Sequence, residues 1–295
     1  MTYAQGGLIQ ASDYNGFATN INAVWATLYG QPAISAVSVG GSITAQQWNS
    51  IYNTTANAAL HQGTLITSIP PVSAGDRVTY YSQLPTNITA IGTNRYNTAS
   101  NGTDTFATGT RTLSWGAGIG IPAVSSTVTM TFDSIDKLRY FFNAGGRLRI
   151  YCSSAIGSGT ADTVAWNQFC TAMGRIVMPA VDTPQQLSTS AFTGLTQFDG
   201  TITPNVYVRE GYYNLTASPE LLYQQTQSAP YYGTDTISIY YSTSGATVTA
   251  TVVFVDSGND ALDGDLTVTC TARPGESTYI TNTWGTPTIT VTAPA

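Results

Sequence analysis

The spacing of apolar residues divides the chain into a short helical beginning and a long remainder with the period of β-strands. In the first part, Phe17, Ile21, Val24, Trp25 and Leu28 recur at steps of three and four residues, which is typical of an amphipathic helix. From Ile66 to near the end of the chain, apolar and polar residues alternate as in strands. The pattern therefore predicts a helical head followed by a β-rich region.

The helical head contains an internal duplication. The segment Gly6–Asn15 returns 34 positions later as Gly40–Asn49. The identical pairs are Gly6/Gly40, Gly7/Gly41, Ile9/Ile43, Ala11/Ala45 and Asn15/Asn49, and Tyr14/Trp48 and Phe17/Ile51 both keep bulky apolar character. The duplication predicts two similar helices in succession.

Local signals predict where these two helices begin and end. Thr44 and Gln47 fit a capping box at the start of the second helix. Ser12 is the predicted cap of the first helix. The first helix is expected to end at Gly30-Gln31-Pro32 and the second at Gly63.

Two such helices cannot bury all their apolar surface against each other, because helical repeat arrays need about three copies for a continuous core. The pair is therefore expected to pack on the rest of the chain, on sister copies or on a larger assembly. The side chains predicted to line this docking interface are apolar residues of both copies: Ile9, Tyr14, Phe17, Trp25, Ile43, Trp48 and Ile51.

The segment after the head is predicted to be a connector. Residues 67–76 include a Pro pair and a Gly-Asp turn, which indicates a stiff link. Val78–Tyr81 is a candidate short strand, and Pro85–Gly109 has little periodicity and is expected to be a long surface loop or arm.

Beyond residue 110, short strands are expected in quick succession, with turns about every 8–12 residues as in a sandwich or barrel. Lys137–Phe142 and Arg147–Cys152, joined by Asn143-Ala144-Gly145-Gly146, form the clearest predicted hairpin. Asp162–Met173 is a predicted short helix, and Val248–Val255 is a predicted central strand. The other candidate strands are Arg111–Trp115, Ser126–Phe132, Arg175–Met178, Asn205–Glu210, Gly211–Leu215, Glu220–Thr226, Thr236–Tyr241, Thr247–Val255, Asp265–Ala272 and Thr286–Thr292.

These elements predict a mainly β chain in three parts. Residues 1–66 form a helical docking head with an internal duplication, residues 67–110 a connector with a loop or arm, and residues 111–295 a β-sandwich domain. The sandwich is expected to be antiparallel, of the jelly-roll or immunoglobulin-like kind, with one short helix.

Composition narrows the functional classes. Only 9% of residues are charged, and the formal net charge is −6. A surface with so little charge suits a permanent assembly better than a free monomer. The acidic balance argues against nucleic-acid binding, which needs clustered Lys and Arg.

No run of apolar residues is long enough to span a membrane, and the first residues do not resemble a signal peptide. Three widely spaced cysteines indicate neither a disulfide framework nor a zinc site. Synthesis in a reducing cytoplasm is the simplest interpretation.

Catalytic chemistry finds little support in the residue pattern. His61 is the only histidine, and we expect it to be structural, partly cationic at the end of a helix. Only three glutamates exist, and no pair of carboxylates is placed as in a glycosidase. We therefore expect a protein that has no enzyme activity and binds no cofactor, and a metal site is not part of the main interpretation.

Two groups of residues leave alternatives open. Four carboxylates between two predicted strands could bind Ca²⁺: Asp256, Asp260, Asp263 and Asp265. A solvated hairpin loop without a metal ion has the same composition. Tyrosines from sequence pairs could bind a glycan or line an interface: Tyr212, Tyr213, Tyr231, Tyr232 and Tyr240. Ordinary strands also commonly contain tyrosine.

Several segments resemble structural proteins of tailed bacteriophages, chiefly of the cyanophage and marine-phage type. They are the doubled Ile-x-Ala-x-x-aromatic-Asn unit, His61–Thr64, Pro71–Asp76, Arg139–Ile150, Gly211–Thr216 and Trp284–Thr288. The Phe-Phe-Asn-Ala-Gly-Gly stretch within Arg139–Ile150 is the most specific of these.

This resemblance implies a non-enzymatic protein of the virion, made in the host cytoplasm and bound to other virion proteins in the tail, neck or a fibre-type appendage. By analogy it also implies a homo-oligomer, trimeric or hexameric. The alternatives are a receptor-binding module for a host surface glycan and a capsid decoration protein.

Overall fold

A computed structural model describes residues 9–78, 82–98, 102–155, 161–181, 200–201, 203–229 and 233–295. Within these ranges the chain forms five α-helices and two antiparallel β-sheets of four and six strands. The predicted antiparallel, sandwich-like architecture is confirmed. The helices are more numerous than predicted, in both the head and the β-rich part.

The head contains three helices: α1 (Ala11–Trp25), α2 (Ala45–Gln62) and α3 (Gln83–Thr93). The third lies within the segment predicted to be a loop, so that prediction is wrong. It buries Leu84, Ile88 and Ile91 on one face, and it packs against both other helices. A third helix supplies the burial that two helices alone could not provide.

The ends of α2 confirm the predicted caps. Thr44 Oγ1 accepts a hydrogen bond from Gln47 N at 3.2 Å, and Gln47 Oε1 accepts one from Thr44 N at 2.8 Å. Gly63 closes the helix with a φ of 61°. The predicted Ser12 cap of α1 is wrong, because the helix begins before it, at Ala11, where Gln10 N donates to Asp13 Oδ2 at 3.2 Å.

The duplicated asparagines make the same contact in both copies. Asn15 hydrogen-bonds the backbone of Val37 through its amide nitrogen (2.9 Å) and its amide oxygen (2.8 Å). Asn49 does the same to Val72, at 3.0 and 2.9 Å. We call each such pair of bonds an asparagine bridge. The bridge fixes the extended segment that follows each helix, so the sequence repeat is also a structural repeat.

The β-rich part, which we call the body, has ten strands among its described residues. The four-stranded sheet has the order β1-β9-β3-β4 and the six-stranded sheet the order β10-β2-β8-β7-β6-β5. Strand β8 lies between β2 and β7, which confirms Val248–Val255 as an inner strand. The bounds are β1 Thr105–Arg111, β2 Ala123–Thr131, β3 Arg147–Ala155, β4 Ile176–Met178, β5 Val206–Tyr207, β6 Glu220–Ala229, β7 Gly233–Ser244, β8 Thr247–Val255, β9 Asp265–Arg273 and β10 Thr288–Val291.

The predicted hairpin around residues 137–152 is wrong in its first half. That half is a helix, α4 (Ile135–Asn143), whose cap Ser134 accepts a hydrogen bond through Oγ from Lys137 N at 3.2 Å. The glycines that follow end this helix and lead into β3, as Gly145 has a φ of 91°. The buried residues Leu138, Phe141 and Phe142 have helical spacing, not the alternation of a strand.

Three smaller predictions have different outcomes. Gly211–Leu215 is not a strand but contains a 3₁₀ turn, Tyr212–Asn214. The predicted strand Arg111–Trp115 is also wrong, because Arg111 ends β1 and Trp115 makes only an isolated bridge to Leu262. The predicted helix is confirmed as α5 (Ala161–Met173). Of the candidate strand Val78–Tyr81, only the first residue lies within the described part.

Head and body are joined by buried polar contacts. The Gln31 side chain donates to Thr281 O at 2.8 Å and accepts from Thr281 N at 2.9 Å. Asn143 of α4 donates to Leu28 O at 2.8 Å. Gly30 lies so close to Tyr140 that a Cβ would be 2.6 Å from its ring. The turn after α1 therefore attaches the head to the body.

Candidate functional site

The residues predicted to line the docking interface lie mostly inside the head. Ile9 and Ile43 are half-buried against the core of the head. The other five are buried: Tyr14, Phe17, Trp25, Trp48 and Ile51. The Trp48 ring lies 5.9 Å from the rings of Tyr14 and Phe17, centroid to centroid. These apolar side chains pack α1 against α2 and are buried there, so they do not form the external surface that we expected.

Other apolar residues of the head face outward. Leu65 is 97% exposed, Val39 is 96% exposed and Leu60 is 53% exposed. Leu60 and Leu65 border a groove of about 320 Å³ between α2, the segment after it and α3, which Tyr52 and Leu84 also line. We call this groove, with Leu60 and Leu65 at its border, the head surface.

The head surface carries almost no charge. Asp13 is the only Asp, Glu, Lys or Arg among residues 1–66, and it is buried at the start of α1. The surface of α1, α2 and the segments beside them is therefore built from apolar and uncharged polar side chains. Exposed surfaces of soluble monomers usually carry charges of both signs, so this composition marks the head as a candidate interface.

His61 was expected to be partly cationic at the end of α2, and this prediction is wrong. The imidazole is buried, its ring packs edge-on against Tyr29 at 5.1 Å, and burial lowers its pKa to about 4. Neither ring nitrogen has a hydrogen-bond partner among the described residues. A neutral His61 adds no positive charge to α1, α2 or the segment between them, in which no Lys or Arg occurs.

The candidate tyrosines are separated by the fold. Tyr212 is buried and stacks on Phe142 with ring centroids 4.6 Å apart. Tyr213 is 40% exposed, and its hydroxyl donates to Asn143 Oδ1 at 2.8 Å. Tyr240 is half-buried within β7, while Tyr231 and Tyr232 lie outside the described residues. The described tyrosines do not offer the set of open ring faces that stacking on a sugar would need.

The acidic loop after β8 is also divided. Asp260, Asp263 and Asp265 are exposed, and Asp263 Oδ1 accepts a hydrogen bond from Ser114 Oγ at 2.6 Å. Asp256 instead points inward and meets Asp162 and Asp235, which the sequence interpretation did not include. The ligand set expected from the loop alone is therefore wrong, apart from Asp256.

Three elements bring the buried carboxylates together. Asp235 lies near the start of β7, Asp256 directly follows β8, and Asp162 is in the first turn of α5. The pairing of Thr236 with Val255 places Asp235 beside Asp256. One oxygen of each carboxylate lies within 4.8 Å of one oxygen of both others. We call these three residues the aspartate cluster.

The aspartate cluster is electrostatically unfavourable as it stands. Burial is the largest of the causes that raise the pKa of Asp162 to about 7, and the negative charges of Asp256, Asp235 and Asp260 act in the same direction. Burial is also the main cause that raises the pKa of Asp235 to about 6. Like charges in a desolvated position disfavour one another, so the arrangement needs a compensating positive charge or protons.

Among the described helices, none combines the length and the apolar character needed to cross a lipid bilayer.

Comparison of the chain with protein families, with characterised proteins and with solved structures finds no match. A function is therefore argued from the head surface, from the aspartate cluster and from the phage-like segments.

Proposed function

We propose that this protein is a structural component of a tailed-phage virion, in the tail, the neck or a fibre-type appendage, and that it acts through protein–protein interfaces. The phage-like segments, which occur along most of the chain, support the virion context. The observation that carries the interface role is the head surface, which is apolar in places and nearly free of charge.

Packing energetics support this role for the head surface. Leu65 is almost fully exposed in the single chain, and burying such a side chain contributes about 1.5–3 kcal/mol. Removing uncharged polar groups from water costs far less than removing charged ones. A surface with this composition is therefore inexpensive to bury against a neighbour.

The neighbour that we propose is a second copy of this chain. The net charge of −6 is carried almost entirely outside residues 1–66. Two heads can therefore approach without bringing like charges together, whereas two bodies cannot approach so easily. Self-association into a closed ring or bundle agrees with the trimeric or hexameric states expected by analogy.

Glycan binding receives less support. Tyr212 is buried, and the Tyr213 hydroxyl already bonds Asn143. No observation favours a capsid decoration role over an appendage. We therefore propose the interface role alone.

Particle composition tests the proposal. Mass spectrometry of purified virions of the phage that encodes this chain should find it in a fixed stoichiometry to the major tail or neck proteins. Leu65→Asp should reduce its incorporation at least about tenfold, because a charge would be buried without a partner. Leu113→Asp is the matched control, since Leu113 is 70% exposed in the body, and incorporation should be unchanged. Absence of the chain from intact particles would overturn the proposal.

A further inference from the structure

Asp162 is a buried carboxylate to which no described residue donates a hydrogen bond. Its side chain is 0% exposed, and neither Oδ1 nor Oδ2 has a hydrogen-bond partner among the residues that the structure describes. A buried charge normally has an ionic partner, several hydrogen bonds or a bound metal ion. Something in addition to the described side chains is therefore needed to compensate this one.

The other two carboxylates are held in place by donors. Asp256 Oδ2 accepts a hydrogen bond from Ala117 N at 2.7 Å, and Asp256 Oδ1 accepts one from Trp166 Nε1 at 3.3 Å. Asp235 Oδ1 accepts one from Ser257 N at 2.9 Å. These bonds fix the orientation of two carboxylates while each oxygen retains further acceptor capacity. Metal-binding carboxylates are commonly oriented in this way by their own hydrogen bonds.

Two glycines keep the surroundings of the cluster open. A Cβ at Gly258 would lie 2.3 Å from Asp162 Oδ2 and 3.3 Å from Asp256 Oδ1. A Cβ at Gly116 would lie 3.0 Å from Asp256 Oδ2 and 3.0 Å from the main-chain oxygen of Asp260. The backbone thus approaches the carboxylates without a side chain that would fill the space beside them.

We propose that Asp162, Asp235 and Asp256 bind a divalent cation, Ca²⁺, at the junction of α5 with strands β7 and β8. The ligand atoms that these three residues offer are carboxylate oxygens, which are the ligands that a hard cation prefers. Bonds of roughly 2.3–2.6 Å allow one Ca²⁺ to reach oxygens up to about 4.6–5.2 Å apart, so the three carboxylate oxygens, which all lie within 4.8 Å of one another, can bind a common ion. Ca²⁺ is favoured over Mg²⁺ because Ca²⁺ accepts irregular coordination geometry, whereas Mg²⁺ demands a near-ideal octahedron.

The cation would have a structural role. It would link the first turn of α5 to two strands of the six-stranded sheet and compensate the charges that now oppose one another. This proposal is independent of the virion assignment, because it concerns the stability of the isolated chain.

Terbium luminescence gives a local test. Tb³⁺ replaces Ca²⁺ in oxygen sites and emits when a nearby tryptophan is excited, and Trp166 donates directly to Asp256. The full chain, treated with chelator and then titrated with Tb³⁺ near neutral pH, should show sensitised emission that Ca²⁺ displaces at a lower concentration than Mg²⁺. Absence of sensitised emission, or emission that Ca²⁺ does not displace, would overturn the proposal.

A pair of variants assigns the response to the cluster. Loss of one outer partner of a metal ligand typically costs about 10–100-fold in affinity, so Asp162→Asn should weaken Ca²⁺ binding at least about 100-fold. Asp265→Asn is the matched control, because Asp265, the first residue of β9, directly follows the acidic loop but is exposed and outside the cluster. It should leave the affinity within about twofold, as expected for a solvent-screened charge that is not a ligand. Equal affinities for Asp162→Asn and the unmodified chain would overturn the proposal.

Thermal unfolding of the unmodified chain provides a measurement that needs no variant. Excess CaCl₂ should raise the melting temperature above that in chelator, in proportion to RT ln(1 + [L]/Kd), and MgCl₂ should raise it less. An identical melting temperature in CaCl₂ and in chelator would mean that protons alone compensate the cluster, and the proposal would be wrong. This arm decides the matter even if Asp162→Asn fails to fold.

Discussion

Buried ionisable side chains behave in two opposite ways in this molecule. His61 is buried in the head, where burial keeps it neutral by lowering its pKa to about 4, although the charge of Glu276 acts against this effect. Asp162 is buried in the body, where burial raises its pKa to about 7. In both cases desolvation favours the neutral form. The consequences for stability have opposite signs.

His61 should make the head sensitive to acid. Its pKa is about 6.5 in the unfolded chain and about 4 in the fold, so between these values the unfolded state binds the proton first. Stability is therefore retained above pH 6.5 and lost as the pH falls toward 4. The predicted loss is about 3 kcal/mol of unfolding free energy, measured by denaturant titration at several pH values.

The control for this prediction is His61→Leu, which keeps an apolar side chain of similar size and cannot titrate. Other groups also titrate in this range, Asp162 among them, but they do so in both proteins. Only the difference between the two pH profiles reports His61. Profiles that stay parallel from pH 7 to pH 4 would contradict the account.

At the residue scale, the sequence could predict the aspartate cluster only in part. Asp256 was identified from its acidic loop, but its partners are far away in the chain, at positions 162 and 235. They come together through the β7–β8 register and the docking of α5, which no local pattern contains. The exposed loop carboxylates Asp263 and Asp265 were indistinguishable from Asp256 by sequence alone.

The asparagine bridge is the element-scale feature that defines the head. Asn49 satisfies both the N–H and the carbonyl group of Val72, and Asn15 does so for Val37. A side-chain amide can make this paired contact with an extended backbone because it contains both a donor and an acceptor. The two identical asparagines of the duplicated segment are therefore explained by one shared task.

Asn49→Ala should destabilise the protein by about 1–2 kcal/mol, because two hydrogen bonds to a half-buried segment are lost. Asn53→Ala provides the matched control, since Asn53 lies one turn further along the same helix and is exposed. Both changes share the small gain in helix propensity from alanine. The difference between their unfolding free energies measures the bridge, and a difference below about 0.5 kcal/mol would contradict its role.

The sequence pattern does not predict helices α3 and α4, and each omission has a physical reason. Helix α3 contains Pro85, which is tolerated because the first turn needs no intrahelical N–H donor. It also contains several threonines with low helix propensity, although Thr86 and Thr89 hydroxyls bond carbonyls four residues earlier. Helix α4 was mistaken for a strand because its following glycines also suit a β-turn. The strands with clear alternation, such as β8, were predicted correctly.

At the scale of the whole molecule, burial is distributed unevenly. The predicted docking residues of the head are used internally, and a single apolar core continues from the head into both sheets. The outward apolar positions Leu60, Leu65 and Val39 are left at the surface of the single chain. The interface-forming head that the repeat and the composition predict stays a prediction. The apolar residues assigned to its outer surface are instead buried inside it, because periodicity identifies an apolar face without identifying what covers it.

Light scattering of the purified chain, coupled to size-exclusion chromatography, tests the central claim that head surfaces bury one another. The account predicts a defined oligomer for the unmodified chain and for Leu113→Asp. It predicts the molar mass of one chain for Leu65→Asp, which should still unfold cooperatively because the side chain is 97% exposed before assembly, with a melting temperature lowered only by the lost stabilisation from association. A monomer for the unmodified chain at every concentration, or an oligomer that Leu65→Asp leaves intact, would contradict it.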